Sequence, residues 1–310
     1  MTPAARKAET LERAFAGRSL WADARARLFR NKAAVTGMVV LGTVALLALF
    51  APFVSRFAYD GIDYNVVTCA PDWWPFEAAC KAGAGHWFGT DTVGRDLFVR
   101  VLYGARVSLA VGFVATLVSL VIGVLYGATA GYWGGRVDAL MMRVVDILYS
   151  LPFIFFVIIL MVMFDRNFYL MFVAIGAVVW LTMARIVRGQ TLSAKQKEYI
   201  EAARAAGVSP FGIITRHIIP NVVGPVVVYV TLTVPDVILI ESFLSFLGLG
   251  IQEPLTSWGV LIADGANTME SAPWMLVFPA LFMAVTLFCF NFIGDGLRDA
   301  LDPRLRQAIR

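Results

Sequence analysis

The chain has 310 residues, of which 59% are apolar and only 15% charged, with a mean hydropathy of +0.74. A water-soluble protein of this length needs far more surface charge, so the composition excludes a soluble globular class and points to an all-α integral membrane protein. The net charge of +4 reports topology and contact with anionic headgroups rather than nucleic-acid binding.

The chain opens with a polar, basic leader, residues 1–32. Within it Leu20, Trp21, Ala24 and Leu28 fall at helical spacing, with Asp23, Arg25, Arg27 and Arg30 between them. That pattern suits a helix lying in the inner membrane interface; a disordered basic tail is the plainer reading for Met1–Gly17. The leader is too long for a cleavable signal peptide, and the run behind it, Ala33–Val54, is long enough to remain as the first span.

Residues 55–106 form an extracytoplasmic loop. Its clusters Trp73-Trp74-Pro75-Phe76 and His86-Trp87-Phe88 suit either the membrane interface or contact with a docked extracytoplasmic protein. Cys69 and Cys80 share this oxidising side, where a disulfide between them can persist; two free thiols is the alternative.

Five further apolar runs follow, each near the roughly 20 residues that cross a bilayer core: Val107–Gly131, Ala139–Phe164, Phe168–Ile186, Val222–Leu247 and Trp274–Ile293. They form a five-helix unit over 107–297, with a cytoplasmic loop at 190–217 and a cytoplasmic tail at 298–310. Gly123, Gly127 and Gly131 recur every four residues on one face of the second span, so another helix can approach closely there. Asp146 and Glu241 are acidic residues inside spans and are too costly to face lipid, which puts them on a pathway or in the bundle interior. Arg143 stands three residues before Asp146 and is its nearest cation in sequence; Glu241 follows Pro225 and Pro235, which can distort its helix. Cys289 in the last span reads as a small apolar packing group.

Lys and Arg placement orients the spans. Basic residues fill the leader, the 185–217 region and the tail, whereas Gly248–Pro273 has none but carries Glu253, Asp264 and Glu270. Six spans with both termini cytoplasmic fit this asymmetry. Arg95 and Arg100 run against the rule, accompanied by Asp91 and Asp96.

The 190–217 loop is the most informative segment. Lys195, Lys197, Glu198, Glu201, Arg204 and Arg216 make it too charged to cross a bilayer. Lys197–Ala206 favours helix, Gly207 supplies a left-handed stop, and Ser209-Pro210 reads as an N-cap followed by proline at the first helical position. The result is a helix–turn–helix knob offered at the membrane surface to a partner.

Some chemistry is absent from the sequence. It has no Gly-x-x-x-x-Gly-Lys-Ser/Thr phosphate loop, and its two histidines, His86 and His217, fall on opposite sides of the membrane in this topology. With no defensible catalytic or metal constellation, the chain reads as a non-catalytic membrane subunit.

Glu201-Ala202-Ala203, then Gly207, then an apolar residue before Pro220 resemble the signature loop of importer-type ABC permeases. Arg216-His217 ahead of Ile218-Ile219-Pro220-Asn221 is similar to the peptide-permease branch. Phe88-Gly89-Thr90-Asp91, Tyr103-Gly104-Ala105-Arg106, Ser257-Trp258-Gly259 and the ending from Phe290 to Arg304 extend the likeness over nearly the whole chain, to the C-type subunits of oligopeptide permeases. The Cys69–Cys80 stretch is longer than usual for them.

The resemblance implies a type I ABC importer permease bundle of six transmembrane helices in a bacterial inner membrane, translocating oligopeptides. It implies a second permease subunit of the OppB type, two cytoplasmic ATPases of the OppD and OppF type, and a periplasmic peptide-binding protein of the OppA type. ATP and Mg would be held by the ATPases, and Glu201, Ala202, Ala203, Gly207, Arg216 and Pro220 would form the ATPase-coupling loop. Dipeptides, glutathione and nickel chelates are alternative cargoes; an ATPase-independent secondary transporter is the competing class, and would leave the charged loop unexplained.

Overall fold

A computed structural model describes residues 20–74, 85–163 and 168–301. Residues 1–19 of the leader, Cys80 and the tail from 302 lie outside the described residues. Among those described, regular structure is helical apart from one isolated bridge, Thr90 to Asp96.

Helix α1, Leu20–Arg30, is joined to α2, Lys32–Leu49, by Asn31 alone. The Asn31 side chain accepts from the amides of Ala33 and Ala34 at 3.1 and 3.2 Å, and so caps α2 while the chain changes direction. Helix α2 ends at Phe50, because Pro52 can sit only in the first turn of a new helix, α3, Ala51–Val54. The freed carbonyls of Ala48 and Leu49 accept from Arg106 of the neighbouring helix, at 2.6 Å for Leu49. A cation at a helix C-terminus also opposes the helix dipole.

Helix α4 runs from Leu97 to Trp133, 37 residues. It therefore starts well before the expected span at Val107, with Arg100 buried in its first turns. Its far end stops at Gly134 (φ +66°), and α5, Gly135–Ser150, leads into α6, Phe153–Met163. The third span, expected as one helix over Ala139–Phe164, is instead bent by 77° between these two. Pro152 explains the break: it has no amide to donate and pushes Leu151 into the extended conformation seen there (φ −72°, ψ 131°).

Helix α7, Phe168–Ala194, extends past its expected end into the 190–217 loop. Two short helices follow, α8 (Glu198–Ala205) and α9 (Pro210–Ile213). A π-helical turn at Ile214–Ile218 then joins α9 to α10, Ile219–Phe246. The turn widens where Pro220 removes a donor, and the side-chain amide of Asn221 donates to the carbonyl of His217 at 2.6 Å. Helix α11, Trp258–Asn267, is a short element absent from the sequence expectation, and α12, Trp274–Leu301, completes the bundle.

Five of these helices are long and apolar enough to cross a membrane, or six if the bent α5–α6 pair counts as one span. Helices α4 and α7 form the central pair. A Cβ on Gly123 would lie 2.6 Å from Met183 Cβ, on Gly127 2.3 Å from the Ala184 carbonyl, and on Gly131 2.7 Å from Thr191 Cβ. The two backbones therefore touch over two turns, an approach that only glycine permits.

Candidate functional site

The knob after α7 is built by local chemistry. Glu198 and Glu201 lie in the first turn of α8 and Arg204 in its last, complementing its dipole. Its C-terminus closes as a Schellman motif: Val208 donates to the Ala203 carbonyl at 3.1 Å and Gly207 to Arg204 at 3.0 Å. Gly207 holds a φ of +77°, where an L side chain is strained. Ser209 then caps α9 by accepting from the Gly212 amide at 3.2 Å, with Pro210 at the first helical position.

An apolar seat fixes this knob to the bundle. Ile200, Ala203, Ile213 and Ile214 are buried in one cluster with Val124, Ala128 and Tyr132 of α4 and Met183 and Val187 of α7. Arg204 and Lys195 both approach the Tyr132 ring, at 5.2 and 5.9 Å from its centroid. Of the six coupling residues expected from sequence, Ala203 points into this seat, while Glu201, Ala202, Gly207, Arg216 and Pro220 are exposed. Gly207, Phe211 and Arg216 line a shallow cavity of about 420 Å³ between α8 and α9, and Phe211 is 73% exposed beside it. The knob thus presents apolar and charged groups outward from a fixed frame.

Beside it, ion pairs join α5 to α7. Arg188 grips Asp138 through two bonds, Nε–Oδ1 at 2.5 Å and Nη2–Oδ2 at 2.6 Å. Asp146 pairs with Arg185 at 2.7 Å, and that guanidinium lies 4.3 Å from the centroid of Tyr149. Asp146 therefore stands exposed and paired across helices, rather than inside this chain's bundle and bonded to Arg143. Sequence spacing pointed to the wrong arginine because packing brings α7 alongside.

Glu241 is fully buried. Ser245 and Ser257 each donate to its Oε1 at 2.7 Å, and Ser108 donates to Oε2 at 3.3 Å. Ser257 also caps α11 by accepting from Val260, and Ser108 accepts from the Trp258 amide at 3.1 Å. One carboxyl thereby ties α4, α10 and the start of α11 together. Its place is the bundle interior, and its partners come from this chain.

An ionic cluster on the same end of the molecule joins the start of α4 to the α10–α11 connection. Arg95 meets Asp91 at 2.6 Å and Glu253 at 2.8 Å, and Arg100 Nε lies 3.5 Å from Asp91. Burial pulls the Arg95 guanidinium down, yet its bonds to Asp91 and Glu253 leave it above its ordinary value. Burial pushes the Asp264 carboxyl up. The charges that broke the Lys/Arg rule are thus internal partners. The i,i+4 spacing of Asp91 and Arg95 was the available sequence signal, whereas nothing local marked Glu253 as a third member.

Cys69 is disulfide-bonded, whereas Cys80 lies outside the described residues, and Cys289 is free and buried in α12. Among the described residues no group of His, Cys, Asp and Glu side chains is placed to hold a metal.

Comparison with known proteins gives this architecture its relatives. Residues 119–307 match the family described as binding-protein-dependent transport system inner membrane component, and residues 19–71 match the N-terminal TM domain of oligopeptide transport permease C. The oligopeptide transport system permease protein OppC of Escherichia coli K12 is 58% identical over 94% of this chain and 93% of its own length. The dipeptide transport system permease protein DppC of Bacillus subtilis is 45% identical over 92% of this chain and 86% of its own. A chain of the inward-facing MetNI methionine ABC transporter superposes with a TM-score of 0.55 at 21% identity, covering 66% of this chain and 96% of that one. The chain belongs to the family of binding-protein-dependent transport system inner membrane components and has the type I ABC importer permease fold.

Proposed function

We propose that this chain is the transmembrane permease subunit of an ATP-driven importer that carries oligopeptides across the bacterial inner membrane, with both termini cytoplasmic. The observation that carries the reading is the Glu198–Ile213 knob, a charged surface held on an apolar seat that spans α4 and α7. An exposed element so rigidly mounted has little use in a transporter that works alone; it suits a receiver of motion from a soluble partner. In this reading the knob docks into a cleft on a cytoplasmic ATPase, with Glu201, Ala202, Gly207, Arg216 and Pro220 on the docking side.

The other parts follow from that role. A second permease subunit completes the peptide path, two ATPases bind ATP and Mg, and an extracytoplasmic binding protein delivers cargo. ATP-driven closure of the ATPase pair biases the bundle between two packed states, which requires only that the docked loop favour one of them. The chain itself has no catalytic task.

The assembled complex in vesicles tests this. ATP hydrolysis should rise when binding protein loaded with oligopeptides is added, and peptide should accumulate inside. Stimulation by dipeptides alone would move the assignment to the dipeptide reading. Uptake without any ATPase subunit would overturn the proposal.

A further inference from the structure

Beyond α3 the chain turns through Ser55, Arg56 and Phe57 and meets the start of α4. With Trp87, Asp96 and Phe98 these residues line a cavity of about 460 Å³. No role in the importer described above involves it.

Its lining carries both signs of charge and three rings. Arg56 is exposed and has no ion pair or side-chain hydrogen bond among the described residues. Ser55 accepts from the Phe57 amide at 3.1 Å, which leaves its own hydroxyl proton to donate. Asp96 is buried and fixed: one oxygen accepts from Val99 at 2.8 Å and the other lies 2.8 Å from His86 Nδ1. The rings are held as well, Phe57 stacked on His86 at 4.2 Å and Trp87 against Phe98 at 5.0 Å.

A free guanidinium beside a hydroxyl is a phosphate site. Aromatic faces beside a carboxylate favour an ammonium group. One cavity offering both suits a phosphate and an ammonium joined by a short linker. The surroundings say where such a group comes from. The cavity lies at the end of the first membrane span, and on the same turn Phe53 is 86% and Phe50 49% exposed. Aromatic side chains so placed mark the headgroup level of a bilayer.

We propose that this cavity binds the phosphoethanolamine headgroup of a membrane phospholipid. Arg56 and Ser55 hold the phosphate, Asp96 and the rings of Phe57, Trp87 and Phe98 hold the ammonium, and the acyl chains lie along Phe50 and Phe53. Native mass spectrometry of the intact complex, exposed to equal amounts of phosphatidylethanolamine and phosphatidylglycerol, is the test. The wild type should retain the ethanolamine lipid about fivefold better, a difference of the size that a cation–ring contact contributes. Trp87→Ala should bring the two lipids to parity, whereas Arg56→Gln should lower retention of both about equally; both positions are exposed. Equal retention by the wild type, undiminished preference in Trp87→Ala, or unchanged retention of both lipids in Arg56→Gln would overturn the proposal. So would displacement of the lipid by millimolar free phosphoethanolamine that proves the tighter ligand, since the natural occupant would then be soluble.

Discussion

Two polar regions of this chain sit at opposite ends of the same helices and are built on opposite plans. At the knob the polar groups face outward, while apolar side chains such as Ile200, Ala203, Ile213 and Ile214 point in. Around Glu241 the polar groups face one another, and the serine hydroxyls of three separate elements close on a single carboxyl. The first plan leaves hydrogen-bonding capacity for another molecule; the second uses nearly all of it within the chain. A charged residue in a permease therefore reports docking only where its own chain leaves it unanswered.

Substitutions can break this contrast in graded steps. Glu241→Leu should have the largest effect: it strips the partner from Ser108, Ser245 and Ser257 in a site without water access, at about 3 kcal/mol or more. Thermal unfolding of the purified subunit should show the loss, and Glu241→Gln, which can still accept, should recover most of it. A fully stable Glu241→Leu protein would mean the network is incidental.

Gly207→Val comes next. A β-branched side chain at φ +77° should strain the turn by about 1–2 kcal/mol. Membrane levels and pairing with the second permease should stay normal, while pull-down of the ATPases and peptide uptake should fall together. Glu201→Lys should weaken the same capture without touching stability, because its side chain is exposed; unaltered capture in both variants would reduce the knob to an ordinary surface feature. The smallest effect belongs to Arg204→Ala, which removes one cation from the face of Tyr132, a contact of about 0.5–1 kcal/mol. Faster amide exchange confined to α8, with transport retained, is the expected result.

Legibility in the sequence followed the same divide. The knob was readable because its devices are local: an Ala-rich helix, a glycine stop, and a Ser-Pro start all lie within a few residues. Glu241 was visible as a buried carboxyl, but two of its partners are 16 and 133 residues away in sequence, beyond any periodicity. Helix α11 went unread because its 10 residues include two glycines and Asp264, and so match no span. The break at Pro152 was hidden by hydropathy, since the residues on both sides remain apolar and a window average does not register one missing amide. Asp146 shows the limit from another side, because its partner was decided by the packing of α7 and not by spacing on α5.

The glycine contact between α4 and α7 has a mechanical consequence. Where side chains separate two helices, they form a compliant layer that can absorb a push; here backbone bears on backbone, so the pair transmits load as a single strut. At 1.5 Å per residue the 37 residues of α4 make an arm of about 55 Å, with the knob seated at one end and the Arg95 cluster at the other. A tilt of about 5° imposed at the knob would swing the far end by about 5 Å over that length, enough to part Arg95 from Glu253.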